Sequence, residues 1–143
     1  MRINVLIKIT GLHAAGGEDG DMELIVNGTY MKNGEKVYLS YDETDSDGVE
    51  YKCRIRIEPG QVVYSKTGMF TTELYYVMGE PYESVISTPY GQLDAEIITE
   101  RLELRDNPAA LTDLSLDYRL SINGEHATEC KMCILVEEIG KYE

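Results

Sequence analysis

Residues 49–58 read VEYKCRIRIE, and this stretch has the clearest alternation of apolar and charged residues in the chain. Its odd positions carry Val, Tyr, Cys, Ile and Ile, whereas its even positions carry only charged residues. Successive side chains of a β-strand point to opposite faces, so the stretch predicts a strand with one buried face. The same period of two recurs at four other segments, whose apolar positions run from Ile3 to Ile9, Val37 to Tyr41, Leu114 to Ile122 and Cys130 to Val136.

Short turn signals separate these segments. Glycine takes positive φ without strain and proline presets φ, so both are typical of hairpin turns. The signals are Asn33-Gly34, Asp47-Gly48, Pro59-Gly60, Thr67-Gly68, Gly79-Glu80-Pro81, Pro89-Tyr90-Gly91 and Asn123-Gly124. A spacing of ~8–12 residues predicts about nine to ten antiparallel strands. Because closure removes unpaired sheet edges, we expect one all-β domain over residues 1–143, an antiparallel up-and-down β-barrel, with a sandwich as second choice.

Two places depart from a simple run of strands and turns. Asn27-Gly28 lies inside the long run 22–32, which predicts a bulge or a sharp bend in one long strand. The segment 106–111, with Asn before Pro, predicts at most one short helical turn.

Charge and termini restrict the partners and the compartment. The chain has 26 acidic and 13 basic residues, a net charge of -13, which repels phosphate backbones and anionic lipid. We therefore expect no nucleic-acid or membrane partner. The N-terminus MRINVLIKITG lacks the apolar core of a signal peptide, so we expect a cytoplasmic protein with its three cysteines reduced.

Several motifs together resemble a known family. They are 32–34 (KNG), 37–43 (VYLSYDE), 88–91 (TPYG) and 116–120 (LDYRL). The chain resembles the YwiB-like family of small bacterial proteins, found especially in Firmicutes and of unknown function. The resemblance implies a lipocalin-like barrel in the cytoplasm and carries over no catalytic residues. It also implies an Arg-x-Gly where this chain has Lys66-Thr67-Gly68, and lysine lacks the planar donor fork of arginine.

The CxxC spacing of Cys130 and Cys133 is the first candidate for chemistry. In a strand, residues three apart point to opposite faces, so we expect Cys130 to face the core and Cys133 to face outward. This geometry argues against both thiol redox chemistry and a zinc site.

Acidic residues and histidines are the next candidates. Glu43, Asp45 and Asp47 resemble half of a calcium loop, but Arg54 occupies the position that needs a glutamate, which predicts an acidic hairpin turn. His13, in loop 11–20 near Glu18, Asp19 and Asp21, and His126 are the only imidazoles, and we interpret them as solvated loop residues. We expect no metal or cofactor, and no enzyme, because no catalytic motif pairs a nucleophile with a base.

Eleven tyrosines, against one Phe and no Trp, are the unusual feature of the composition. Parity places Tyr64 and Tyr76 inside the barrel with three further tyrosines, and a buried hydroxyl needs a partner, which Glu43 and either Thr99 or Arg101 could supply. We predict a non-enzymatic barrel that binds a small, partly apolar ligand. The predicted lining is Tyr41, Glu43, Tyr51, Arg101 and Tyr118. The alternative is a solidly packed structural or interaction module that works through its acidic outer face or self-associates, for example as a homodimer, through an exposed strand.

Overall fold

The computed structural model of the chain describes residues 2–11, 23–88, 90–125 and 127–139. Every strand or helix in those ranges is a β-strand, and none of their residues belongs to a helix that could span a membrane. The strands are β1 (Arg2–Thr10), β2 (Glu23–Asn33), β3 (Lys36–Thr44), β4 (Glu50–Glu58), β5 (Gln61–Thr67), β6 (Thr72–Val77), β7 (Pro81–Thr88), β8 (Gly91–Leu104), β9 (Thr112–Ile122) and β10 (Thr128–Glu138).

The ten strands form one closed antiparallel barrel. Each strand pairs with its neighbours in chain order, and β1 closes the ring by pairing with both β2 and β10. The predicted up-and-down barrel is therefore confirmed, and the sandwich is excluded. The last residues of β1, β3 and β5 lie at the same end of the barrel, which we call the upper end.

The alternation of side chains builds the core. On β4, Tyr51, Cys53, Ile55 and Ile57 are buried inside, while the charged residues between them face outward. Matching inner faces on β1, β3, β9 and β10 complete one continuous apolar cluster. Each fully buried aliphatic side chain contributes ~1.5–3 kcal/mol, so the apolar cluster drives folding.

Gly28 lies inside β2 and forms no bulge with β1. The register between β1 and β2 is continuous across Val5 and Gly28, and the pairing of β2 with β3 begins at Thr29. A Cβ at Gly28 would lie 2.4 Å from the Ser40 carbonyl oxygen, so only glycine allows this close approach. One long strand is thus confirmed, and its register with β1 shows no bulge at Gly28.

A bulge occurs instead on β8, where the sequence shows no sign of it. The register with β9 shifts between Thr99 and Arg101, so Glu100 is an extra residue. Thr99 therefore faces inward and is buried, whereas Arg101 faces outward and pairs with Asp117 at 2.8 Å. The prediction that Arg101 lines the interior is wrong, because the bulge reverses the parity after Thr99.

The seam between β6 and β7 is held partly by side chains. Its regular register is reduced to Glu73 and Val85. The buried Ser84 hydroxyl accepts a hydrogen bond from the Tyr75 backbone N–H at 3.0 Å, and Thr72 accepts one from Ser87 at 3.2 Å. Two hydroxyl groups thus replace ladder hydrogen bonds across this seam.

The segment 106–111 forms a turn and not a helix. The Asn107 side-chain oxygen accepts a hydrogen bond from the Ala109 N–H at 2.9 Å, and its carbonyl accepts one from Ala110 at 3.1 Å. The asparagine side chain stabilises this turn locally, as such side chains commonly do.

Candidate functional site

Polar side chains converge on the inner wall at the upper end of the barrel. Cross-strand register brings them together, because Tyr41 faces Cys53, Glu43 faces Tyr51, and Cys53 faces Lys66. They come from β3, β4 and β5, three adjacent strands. We call this set the inner polar cluster: Tyr41, Glu43, Tyr51, Cys53, Tyr64 and Lys66.

An ion pair lies within the inner polar cluster. The Lys66 Nζ atom donates to Glu43 Oε2 at 2.8 Å, and the two side chains are only 15% and 20% exposed. Lys66 Nζ also lies 4.7 Å from the centre of the Tyr51 ring, within the range of a cation–π interaction. Charged side chains are rarely this enclosed unless paired, so each partner permits the burial of the other.

A chain of weak donors leads from the ion pair toward the core. The Cys53 thiol donates to Glu43 Oε1 at 3.9 Å, and the Tyr64 hydroxyl donates to Cys53 Sγ at 3.8 Å. Burial raises the pKa of both the Cys53 thiol and the Tyr64 hydroxyl. Both groups therefore stay protonated at neutral pH and act as hydrogen-bond donors.

The Tyr41 hydroxyl is the unusual member of the cluster. Tyr41 is 4% exposed, and its hydroxyl makes no hydrogen bond of good geometry in the part of the chain that the structure describes, although the Tyr64 hydroxyl and the Cys53 thiol lie near it. Burial, followed by the nearby Cys53, raises the pKa of Tyr41. The Thr99 hydroxyl, also on the inner wall, is likewise buried without a partner among those residues. A buried hydroxyl left without a partner costs about 1–3 kcal/mol, so both sites favour an added partner.

The turn after β5 packs against the cluster. A Cβ at Gly68 would lie 2.7 Å from the Tyr51 ring and 2.8 Å from the Glu50 carbonyl oxygen, so glycine lets the turn lie close to the ring. The Arg-x-Gly that the family resemblance implies falls on Lys66 and Gly68, which both contact Tyr51. Lys66 therefore occupies the position where that resemblance implies an arginine.

Three of the five predicted lining residues converge, and two do not. Tyr41, Glu43 and Tyr51 belong to the inner polar cluster, whereas Arg101 is outside the barrel. Tyr118 is inside, as predicted, but its hydroxyl donates to the Gly11 carbonyl at 2.8 Å, and its ring meets the ring of Tyr76 edge-on at 5.0 Å. Tyr118 thus belongs to a second inner group.

Cys53, Tyr64 and Lys66 belong to the inner polar cluster but are not among the predicted ligand-lining residues. For Lys66 a signal was present, because it shares the inward parity of Val62 and Tyr64 on β5. A lysine on the apolar face of a strand indicates a buried partner of opposite charge.

The other candidate motifs have structural roles. Cys130 lies on the inner side of β10 and Cys133 on the outer side, as predicted, and no disulfide joins them. Burial raises the pKa of the Cys130 thiol.

The acidic hairpin turn is also confirmed, and Asp45 stabilises it. Asp45 Oδ1 accepts hydrogen bonds from the backbone N–H groups of Asp47 and Val49 at 2.9 and 3.0 Å. Within the described ranges, no three His, Cys, Asp or Glu side chains are placed to hold a metal ion. The predictions for His13, Glu18, Asp19, Asp21 and His126 lie outside those ranges.

The fold and the site define a class of protein: a small closed β-barrel with a buried polar cluster on its inner wall. The chain belongs to the family described as "Domain of unknown function (DUF1934)", whose model matches residues 7–134.

A solved structure, that of the ywiB protein from Bacillus subtilis, is similar in fold. The TM-score is 0.67 at 19% sequence identity, over 97% of this chain and 92% of that chain. The resemblance to the YwiB-like family is thereby confirmed. No curated protein matches the chain.

Proposed function

We propose that this chain is a non-enzymatic binding protein of the bacterial cytoplasm, which holds a small, partly apolar ligand at the upper end of its barrel. The observation that carries the proposal is the Tyr41 hydroxyl, which is buried and makes no hydrogen bond of good geometry among the described residues. Buried polar groups nearly always have a partner, and an unsatisfied one indicates a missing water, ion or ligand.

The surroundings of Tyr41 suit a molecule with one polar end. The inner polar cluster offers an ion pair and hydroxyl groups, whereas Ile7, Leu39 and Ile55 form apolar wall below it. Small-ligand sites combine mostly apolar walls with a few convergent polar groups. Barrel diameter grows with strand number, and eight strands already suffice for one small ligand in some barrels, so ten strands supply more width.

The path to Tyr41 lies between β2 and β3. The register between these strands covers Thr29–Asn33 and Lys36–Ser40, so Glu23–Gly28 and Tyr41–Thr44 are not paired with each other. Gly28 still packs closely against Ser40 and Tyr41, so the unpaired stretch of β3 lies beyond Tyr41, beside Glu43. A ligand entering here reaches the inner polar cluster without breaking strand hydrogen bonds.

The protonation states support a binding role over catalysis. Burial raises the pKa of the Cys53 thiol, the only thiol of the cluster, and a protonated thiol is a poor nucleophile. The same cause raises the pKa of Tyr41 and Tyr64, so neither serves as a base at neutral pH.

Native mass spectrometry of the purified chain tests the proposal. We expect a bound small molecule, seen as a mass increment that denaturation removes. Tyr41→Phe and Glu43→Gln should each reduce the occupied fraction, whereas Tyr75→Phe, on the outer face of β6, should leave it unchanged. Absence of any increment, together with concentration-dependent self-association, would support the packed interaction module instead.

A further inference from the structure

A pocket opens on the outer wall of the barrel. It has a volume of about 190 Å³ and spans β1 to β4. Most of its lining faces outward, and it also touches Tyr41 and Cys53 of the inner polar cluster. Its outward polar lining is Arg2, Thr29, Tyr38, Ser40, Asp42, Lys52 and Arg54. We call it the outer pocket.

Strand register explains how the outer pocket is built. Arg2 faces Met31, which faces Tyr38, and in the next outward row Thr29 faces Ser40, which faces Arg54. The two arginines lie three strands apart and one outward row apart, ~16 Å at the backbone, because neighbouring strands are ~4.8 Å apart and residues along a strand ~3.3 Å apart. The outer pocket lies between them, and both side chains line it.

The charges of the outer pocket are unusual for so acidic a protein. Neither Arg2 nor Arg54 makes an ion pair with any described residue, although the chain carries 26 acidic side chains. Lys52 pairs only loosely with Asp42, at 3.8 Å with both side chains at least 75% exposed. Three cationic groups thus face one carboxylate. By contrast, Arg119 on β9 lies 3.6 Å from Glu100.

We propose that the outer pocket binds the phosphate group of a small phosphate ester. Guanidinium groups bind phosphate oxygens in pairs, and the hydroxyls of Thr29 and Ser40 lie between the two arginines to receive the remaining oxygens. Met31 and Tyr38 offer apolar surface to the organic part of the ester.

The volume of the outer pocket and the net charge of the chain both favour a small-molecule ligand. The volume of about 190 Å³ is below the ~300 Å³ at which drug-sized pockets begin. The net charge of -13 repels a polyanion such as nucleic acid, whereas one phosphate group senses mainly the nearby cations. The cationic groups and the two hydroxyls of this site are not members of the inner polar cluster.

Backbone-amide NMR titrations with inorganic phosphate and phenyl phosphate at constant ionic strength test the proposal. We expect saturable shifts at Thr29, Ser40 and Arg54, with tighter binding of phenyl phosphate because of Met31 and Tyr38. Arg54→Gln should weaken binding about tenfold or more, since it removes charged hydrogen bonds. Arg119→Gln is the matched control and should leave affinity unchanged.

Three results would overturn the proposal. Shifts that do not saturate indicate only general ionic attraction. If Arg54→Gln and Arg119→Gln weaken phosphate binding equally, the phosphate does not bind at the outer pocket. Equal affinity for inorganic phosphate and phenyl phosphate would show that the pocket does not contact the organic group, and would contradict the proposal of a phosphate ester.

Discussion

The ion pair between Glu43 and Lys66 provides the sharpest test of the inner polar cluster. The perturbations are Glu43→Gln, Lys66→Met and the double variant. Glutamine and methionine keep the length of the side chains while removing the charges. The single variants each leave one charge in a largely enclosed position, and the double variant leaves none.

The structure sets the expected size of the effect. At an N–O distance of 2.8 Å and an effective dielectric constant of ~20, the attraction is about 6 kcal/mol. Desolvation of both groups opposes most of this attraction. Because 15–20% of each side chain remains exposed, we expect each single variant to lose about 2 kcal/mol of unfolding free energy. The double variant should lose less than the sum, by a coupling energy of ~1–2 kcal/mol.

Urea unfolding followed by far-ultraviolet circular dichroism measures these free energies. The exposed pair Asp42 and Lys52, on the outward faces of β3 and β4, is the matched control. Its Lys52→Met variant should lose less than ~0.5 kcal/mol. Lys66→Arg should keep the coupling to Glu43, because it keeps the charge. A coupling energy at Glu43 and Lys66 no larger than that of the exposed pair would show that enclosure does not strengthen the Glu43–Lys66 ion pair.

Three further predictions concern the fold around the cluster. Burial raises the pKa of the inner tyrosines, and most strongly that of four of them. In the folded state these four keep the protons that the unfolded chain releases above about pH 10, so stability present below that pH is lost as pH rises. At about pH 11 this loss amounts to ~1.4 kcal/mol per tyrosine, or about 6 kcal/mol in all, which predicts cooperative unfolding with a jump in tyrosinate absorbance; a gradual, non-cooperative rise would contradict it. The four are Tyr41, Tyr64, Tyr76 and Tyr118. Gly28→Ala should lower the unfolding free energy in urea by ~1–3 kcal/mol, because its Cβ meets the Ser40 carbonyl, and a neutral effect would show that β2 is not closely held there. Thr72→Val should speed hydrogen exchange at the Ser87 amide, which donates to the Thr72 hydroxyl, and unchanged exchange would deny that hydroxyl a role in the seam.

The period of two predicted most of the barrel and part of the site. It placed Tyr41, Tyr51 and Tyr118 inside correctly, because a strand with one apolar face has one register that buries it. It failed at Arg101, since the β8 bulge at Glu100 has no Gly or Pro to indicate it. A single extra residue reverses every side chain that follows.

The pairings within the sites depend on register, which parity does not supply. Parity assigns Glu43 and Lys66 to the inner face, but only the alignment of β3, β4 and β5 brings their side chains to 2.8 Å. The outer pocket needs the same information over four strands, because Arg2 and Arg54 are 52 positions apart in the chain. Residues distant in sequence meet only after the ring of strands has closed.

A high-resolution crystal structure of the chain, purified without denaturation, tests whether the barrel holds a ligand. We expect electron density for an organic molecule at the upper end of the barrel, with a polar atom ~2.5–3.0 Å from the Tyr41 hydroxyl oxygen. Density for a single water at that hydroxyl, in an interior otherwise filled by the protein's own side chains, would contradict this expectation.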